Sequence, residues 1–578
     1  MSEPNATPDQ VVEINRWART EVGVQTEAPP PEPPPEPEKP TEKPRIKLPG
    51  PGVQVSEFAR ECAMAFNAGD CVFRKDGVPV MIDPETGAIM AINEHDFGTL
   101  LERCAVTYVE RKIGEDDDGK PIVKKAVQTC PPVAAKMTIR ARSFWMALRK
   151  LERVAMARQP IQRANGVVEL LEHGYDDESG VFTLDCGVVV DERWIKRDEA
   201  TGKIDASEAA FALRTFLGEF PMVSSLDLAV QICSMVSFYA ALLLPTNVSR
   251  LGWFLKANKH GSGKTLLAKI TVIPVMGKAI VMPYPSEEDE LRKILDATAI
   301  GGKSYIILDD ITGHLKSGEL NAFMTASYWG GRKMHTQTQF EATRQAVVFL
   351  SGHEVTLSPD IGRRVLECRL HVEQADTGKH KVNNPVDDGY LSKPAVRSDI
   401  CSALWAMVLA WHESGRPLTF ERDGKKVEPN VKGGFQDWCK VYGGIVMHAG
   451  FDDPCGERPD DDTSDPEYDD WLVLMKHLHA QFGPEDKLME FKFAELIEYC
   501  LELNAFAWAI SGQWKSDKDT KERWYEADKK SEGRMSRLFN EKYNNTSVDL
   551  PDGKRLKFGA AGKNRHKRYQ VVLGLKKA

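Results

Sequence analysis

Residues 251–265, LGWFLKANKHGSGKT, constrain this chain more than any other stretch. Leu251, Trp253 and Leu255 alternate along a short apolar run, the pattern of a buried strand. The run passes into a loop carrying Gly261 and Gly263, then into Lys264-Thr265-Leu266-Leu267-Ala268, which opens a helix. Glycines let successive backbone N–H groups turn toward a polyphosphate, and the helix N-terminus adds its positive dipole end. In such a loop Lys264 reaches the β- and γ-phosphates, and the Thr265 hydroxyl holds Mg²⁺. With Asn258, His260 and Ser262 these residues form the expected ATP site. The strict spacing wants a glycine where Asn258 stands, and asparagine is one of the few residues that tolerate left-handed backbone angles. The bland alternative is a glycine turn ahead of a surface lysine.

Downstream, residues 304–308 (SYIIL) read as a buried strand that runs into Asp309-Asp310. Carboxylates at the end of such a strand are placed to hold a metal ion and to orient water. Asp309 is the expected Mg²⁺-side carboxylate and Asp310 the candidate base, although Asp310 is one methylene shorter than a glutamate in that role. Two solvated acids in a turn are the competing account.

At 578 residues the chain has room for about three domains. A hydrophobic content of 42% is ordinary for a globular protein, and a net charge of −9 excludes a surface coated throughout for nucleic acid. Eleven cysteines fall without a C-x-x-C pair or ligand spacing, so they read as reduced thiols of a cytoplasmic protein. The polar, acidic N-terminus does not read as a signal peptide. Residues 228–244 (LAVQICSMVSFYAALLL) are short for a membrane span and contain Gln231, Ser234 and Ser237, so a core helix is expected and no membrane partner.

In chain order, residues 1–52 hold the run PPPEPPPEPEKPTEKP, which cannot pack a core and reads as an extended tether. Residues 53–205 read as a small α/β accessory domain. Within it, strands are expected in 71–80, 84–92 and 105–122, and a helical stretch from Cys130 to about Arg158. Residues 206–414 read as the ATPase core, with strands alternating with helices around a parallel sheet. A second strand is expected at 279–282 and a helix capped by Ser286. Residues 332–340 (RKMHTQTQF) are expected to pair with 344–350 as a hairpin, Lys333 and His335 facing nucleic acid, and a closing strand is expected at 365–370. Residues 415–484 read as helical with an acidic loop. Residues 485–578 read as helices followed by a hairpin, the order of a winged-helix module. Lys554, Arg555, Lys557, Arg565, Lys567 and Arg568 crowd that hairpin, and both a solvated surface and phosphate contact fit them.

Taken together, the chain resembles the AAA+ (superfamily three-like) helicases that accompany primases in phages and integrative elements. The likeness covers most of residues 70–460 and is carried by PPVAAKM, GYDDESG, FLGEFPM, HGSGKTLLAK, DELRKIL, YIILDDITGHLKSGEL, DIGRRVLECRL and GGFQDW. The resemblance implies an AAA+ three-layer α/β core, ATP and Mg²⁺ as cofactors, and a homo-oligomeric ring. It places the family's sensor motif on Ser351-Gly352-His353-Glu354, with His353 where the family has a water-polarising asparagine. It places the family's arginine pair, which reaches a neighbour's nucleotide, on Arg363-Arg364. Any primase or other replication protein is then a separate partner. The expectation is a DNA helicase or translocase. The rival is an ATP-switched initiator or loader that assembles on DNA or a partner without unwinding, and a membrane-associated ATPase is a distant third.

Overall fold

The computed structural model describes residues 43–50, 53–115, 121–199, 201–332, 339–353, 355–372, 386–422, 424–458, 466–482, 487–507, 509–516, 523–549, 554–561 and 568–575. Backbone contacts divide the chain into two units, residues 1–355 with 360–458 and residues 459–578 with 356–359.

The first unit is built on a five-stranded, all-parallel sheet. Its strands are β1 (Gly252–Ala257), β2 (Val281–Pro283), β3 (Tyr305–Ile311), β4 (Val347–His353) and β5 (Val365–Leu370), in the spatial order β2-β3-β4-β1-β5. Helices connect and cover them: α1 (Ser225–Tyr239) ahead of β1, α2 (Lys264–Met276) after it, α3 (Glu288–Ile300) between β2 and β3, α4 (Gly318–Thr325) after β3, and α5 (Pro394–Glu413) after β5. Parallel strands covered on both faces read as continuous apolar runs, and β4 is buried at all but its last residue. One core joins β1, β4 and β5 to α1, α2 and α5. Strands β1, β3 and β5 fall where the sequence expects them, β2 starts two residues late, and the apolar part of the expected hairpin arm 344–350 becomes β4.

Helix α1 shows why residues 228–244 stay in the core. The Gln231 amide donates to the Leu267 carbonyl and the Thr271 hydroxyl of α2, each at 3.1 Å, and the Ser234 hydroxyl lies 2.9 Å from that of Thr271. These bonds satisfy the Gln231 amide N–H and the Ser234 hydroxyl, while the buried Gln231 side-chain oxygen has no partner among the described residues. Among the described residues no helix is long and apolar enough to cross a membrane.

Several local expectations change. The helical stretch before Arg158 is two helices, Pro132–Arg140 and Arg142–Ala147, separated at Ala141, whose backbone is extended. Residues Arg153–Ala155 then form a fully buried strand paired with Val181–Thr183, a ladder that local pattern cannot announce in three residues. The hairpin after α4 pairs Tyr328–Arg332 with Gln339–Thr343, because Arg344 turns inward and residues from Val347 are taken by the central sheet. Helix α3 starts at Glu288 from an extended Glu287 with no side-chain cap, so Ser286 does not cap it. Ordered pairing also begins before residue 53, since Arg45–Lys47 runs parallel to the start of strand Val106–Glu115.

The second unit contains α6 (Pro466–Ala480), β6 (Leu488–Lys492), α7 (Phe493–Glu502), α8 (Lys529–Arg537), β7 (Ser547–Asp549), β8 (Lys554–Ala560) and β9 (Arg568–Leu575). Its antiparallel sheet has the order β6-β9-β8-β7. Trp471, stacked on Tyr543 at 4.2 Å between ring centroids, and Phe539, Phe558 and Tyr569 fill a separate core. The expected hairpin at the chain's end is thus part of a four-stranded sheet.

Candidate functional site

The glycine loop between β1 and α2 sits at the carboxyl end of the parallel sheet, where crevices form outside the strand ends. Gly261 and Gly263 have φ of 71° and 91°, the left-handed region that favours glycine. A Cβ at Gly263 would also fall 3.0 Å from the Phe220 ring. Helix α2 begins at Lys264, so its first-turn N–H groups have no acceptors within the helix. The Ser262 hydroxyl is buried and has no hydrogen-bond partner among the described residues. Unsatisfied donors gathered at a helix N-terminus fit a phosphate.

Strand β3 delivers the acidic pair. Although β4 lies between β3 and β1, the Thr265 hydroxyl donates to Asp309 Oδ2 at 2.7 Å. The Ser351 hydroxyl, from β4, donates to Asp309 Oδ1, and the Asp310 backbone N–H donates to the same oxygen at 2.9 Å. The ladder slips between Leu308 and Ile311, and Asp310 takes a φ of 61°. A non-glycine residue there costs on the order of 1–3 kcal/mol, strain that collects at functional sites. It leaves Asp310 exposed at the carboxyl end of β3.

Lys264 is 9% exposed and its ammonium donates to the Lys259 carbonyl at 3.2 Å. Burial pushes its pKa down from the ordinary lysine range, while Asp309 and Asp310 pull it partly back. The imidazoles of His260 and His353 stack face to face with centroids 4.7 Å apart, so the end of β4 covers the loop. Lys264, Thr265, Asp309, Ser351 and the two histidines therefore share one end of the sheet.

Other expected residues lie elsewhere. Asn258 does not use left-handed angles; its side chain clamps Val372, accepting from the N–H at 2.9 Å and donating to the carbonyl at 3.0 Å. Arg363 and Arg364 stand at the amino end of β5, where the Arg364 carbonyl accepts from the Gly252 N–H. That is the far end of the sheet from Lys264 in the same chain. Arg363 is exposed and pairs with Asp360 at 2.8 Å, and Arg364 reaches the Asp360 side chain at 3.5 Å and its carbonyl. Lys333, His335, Glu354, Arg565 and Lys567 lie outside the described residues.

In the second unit Arg555, Lys557 and Arg568 are exposed on β8 and β9, Lys554 is half-buried, and Arg568 lies 3.7 Å from Glu490. A residue set the sequence reading passed over lies on α8. Lys530, Arg534 and Arg537 are exposed and make no ion pair among the described residues. Their spacing of four and three puts them on one stripe of the helix, roughly a third of a turn from buried Ser531 and Met535. The helical spacing of those cations was the available signal.

No family model matches the chain, and no curated protein does. Among solved structures, the A form apo structure of the NrS-1 C-terminal region aligns at 10% identity over 79% of this chain and 95% of that one, with a TM-score of 0.31. A second apo structure of that region aligns at 10% identity over 74% and 98%, with a TM-score of 0.29. Superpositions this loose carry no inference about chemistry.

Proposed function

We propose that the chain is an ATP-hydrolysing motor of the AAA+ type, a ring-forming DNA helicase or translocase acting in the replication of a phage or mobile element. The observation that carries this reading is the 2.7 Å bond between Thr265 and Asp309 at the mouth of the glycine loop. A hydroxyl on the first turn of the loop's helix and a carboxylate from a strand two places away have met where a triphosphate's metal belongs. Thr265 and Asp309 would hold Mg²⁺, whose charge neutralises that building on the β- and γ-phosphates. Lys264 and the N-terminus of α2 bind the phosphates, Asp310 orients water, and Ser351 fixes the angle of Asp309. The strand order β2-β3-β4-β1-β5 supports the same class, because it inserts β4, with His353 at its tip, between the acidic strand and the loop strand.

Arg363 and Arg364 cannot reach their own chain's loop from the opposite end of the sheet, which supports a trans role. A guanidinium suits that role because its planar, permanently charged fork grips phosphate oxygens at two points. An Arg363→Ala, Arg364→Ala subunit is expected to bind ATP yet lose on the order of a thousandfold in hydrolysis. Mixed with Lys264→Ala subunits, which keep both arginines, it should regain turnover. If folded, assembled mixtures recover nothing, the shared site is wrong and Asp360 is the arginines' sole business.

DNA contact falls to the second unit. Helices and a terminal antiparallel sheet in this order support a winged-helix reading, with the α8 stripe joining Arg555, Lys557 and Arg568 as phosphate ligands. Neutralising Lys530, Arg534 and Arg537 should flatten the salt dependence of duplex binding by about 0.9 in slope per contact. An unchanged slope removes α8 from the interface. The loader reading keeps one observation in its favour: His353 stacks on His260 where the resembled family aims an asparagine at water. Strand displacement measured beside ATP turnover separates the two.

A further inference from the structure

Two cysteines far from the glycine loop in sequence meet near the surface. Cys71 lies in the turn between helix Val55–Ala68 and strand Phe73–Lys75, and Cys104 ends helix Glu94–Cys104. Both are half-buried, and their sulfurs are 2.9 Å apart across 33 residues of sequence. Gly69 makes the approach possible. A Cβ there would lie 2.8 Å from the Cys104 sulfur and 3.2 Å from that of Cys71, so any side chain would push between them. The Cys71 thiol is further held by the Gly69 carbonyl at 2.9 Å.

The two thiols are chemically unequal. The hydrogen bond from Cys104 brings Cys71 down to about 7, helped by the charge of Arg103 and opposed by burial. Cys104 is pushed up by the same bond and by burial. A thiolate, not a thiol, is the attacking species, so Cys71 has the properties of an attacking sulfur and Cys104 those of a resolving one. A second pair, Cys439 and Cys455, has its sulfurs 3.6 Å apart with both residues buried. It supplies an internal control, proximity without access.

We propose that Cys71 and Cys104 form a dithiol redox site that closes to an internal disulfide on meeting a low-molecular-weight disulfide such as oxidised glutathione. Cys71 thiolate attacks one sulfur of that disulfide, forming a mixed disulfide and expelling one thiolate. Cys104 then gives up its proton and attacks the Cys71 sulfur, expelling the second. The protein loses two hydrogens and two electrons, and the small disulfide is reduced to two thiols. The bond ties the start of strand Phe73–Lys75 to the end of the neighbouring helix, and closing that loop restricts the unfolded chain. None of this depends on the ATPase reading.

The test incubates the full chain with oxidised glutathione, traps free thiols with iodoacetamide, and measures intact mass and a peptide map. The expected product lacks two hydrogens, joins the Cys71 and Cys104 peptides, and reverts with dithiothreitol. Cys104→Ser should instead accumulate a glutathione adduct on Cys71, because no resolving thiol remains. Cys71→Ser should leave Cys104 unmodified, and Cys439→Ser should behave as the native chain. Should a serine variant misfold, the native protein still decides the matter: alkylation of Cys71 should outpace every other cysteine and rise through a midpoint near 7. A stable adduct on Cys71 of the native chain, equal modification of Cys439 and Cys455, or no reaction at all would each overturn the proposal.

Discussion

The two ends of the central sheet are made by one topology and have opposite chemistry. Helices in a parallel α/β layer run against the strands, so their N-termini gather at the carboxyl end and their C-termini at the amino end. At the amino end arginines close the helix C-termini. Arg250 donates to the Ala241 carbonyl just past α1 at 3.0 Å, and Arg344 donates to Ala326, the C-cap of α4, at 2.8 Å. Arg397, from α5, reaches Pro274 and Val275 in the last turn of α2. A cation at that end of a helix meets its negative dipole and its unpaired carbonyls together. At the carboxyl end, among the described residues, the helix N-terminus of α2 stays open, the Ser262 hydroxyl is unpaired, and Lys264 donates to one backbone acceptor. Arg250, Arg344 and Arg397 thus serve the fold's own carbonyls at one end, while the loop's donors stay open at the other.

The largest test of the difference is Lys264→Ala. If this buried cation faces phosphate as proposed, its removal should cost at least about a hundredfold in ATP turnover, with the melting temperature hardly moved. Turnover near the native value, measured with the fold intact, would make the carboxyl end merely structural.

Arg344→Met should invert that pattern. Arg344 is 4% exposed, and burial brings its pKa down to about 10. Methionine fills the stem but leaves the Ala326 and Ala346 carbonyls without their donor. About 3 kcal/mol of stability should go, read from denaturant unfolding, while turnover per folded molecule stays unchanged. Equal losses of stability and turnover would mean that the two ends are not separable.

The carboxyl end was legible in the sequence because its signals are local. Gly261, Gly263, Lys264 and Thr265 are contiguous, and Asp309 ends an apolar run. Strand β5 fell where the apolar stretch 365–370 placed it, since the ladder needed nothing the run did not contain. The amino end was illegible. Arg250, Arg344 and Arg397 come from three separate segments, and each looks like any surface arginine until the helix ends are assembled around it. The same holds for the three-residue strand at Arg153 and for Tyr328–Arg332, whose two adjacent glycines weaken any strand pattern. The cations of α8 were legible by period and were passed over for the denser cluster on the neighbouring hairpin.

The smallest expected effect asks how open the carboxyl end is. Asp309 accepts from Thr265 on one oxygen and from Ser351 and the Asp310 N–H on the other. Ser351 is fully buried on β4, and of the three donors it is the one placed on neither α2 nor β3. If the Asp309 carboxylate is held in advance for a metal, Ser351→Ala should leave the fold within about 1 kcal/mol of native, because the Asp310 N–H still satisfies that oxygen. Orienting groups behind a metal ligand typically contribute about ten- to a hundredfold in metal affinity. The Mg²⁺ concentration for half-maximal turnover should therefore rise by about tenfold, with the rate at saturating Mg²⁺ close to native. A fall in the saturating rate with unchanged Mg²⁺ dependence would move Ser351 from positioning the carboxylate to the chemical step. No change in either would mean that Thr265 and the Asp310 backbone fix Asp309 alone, and that this end of the sheet is as closed on itself as the arginine-capped one.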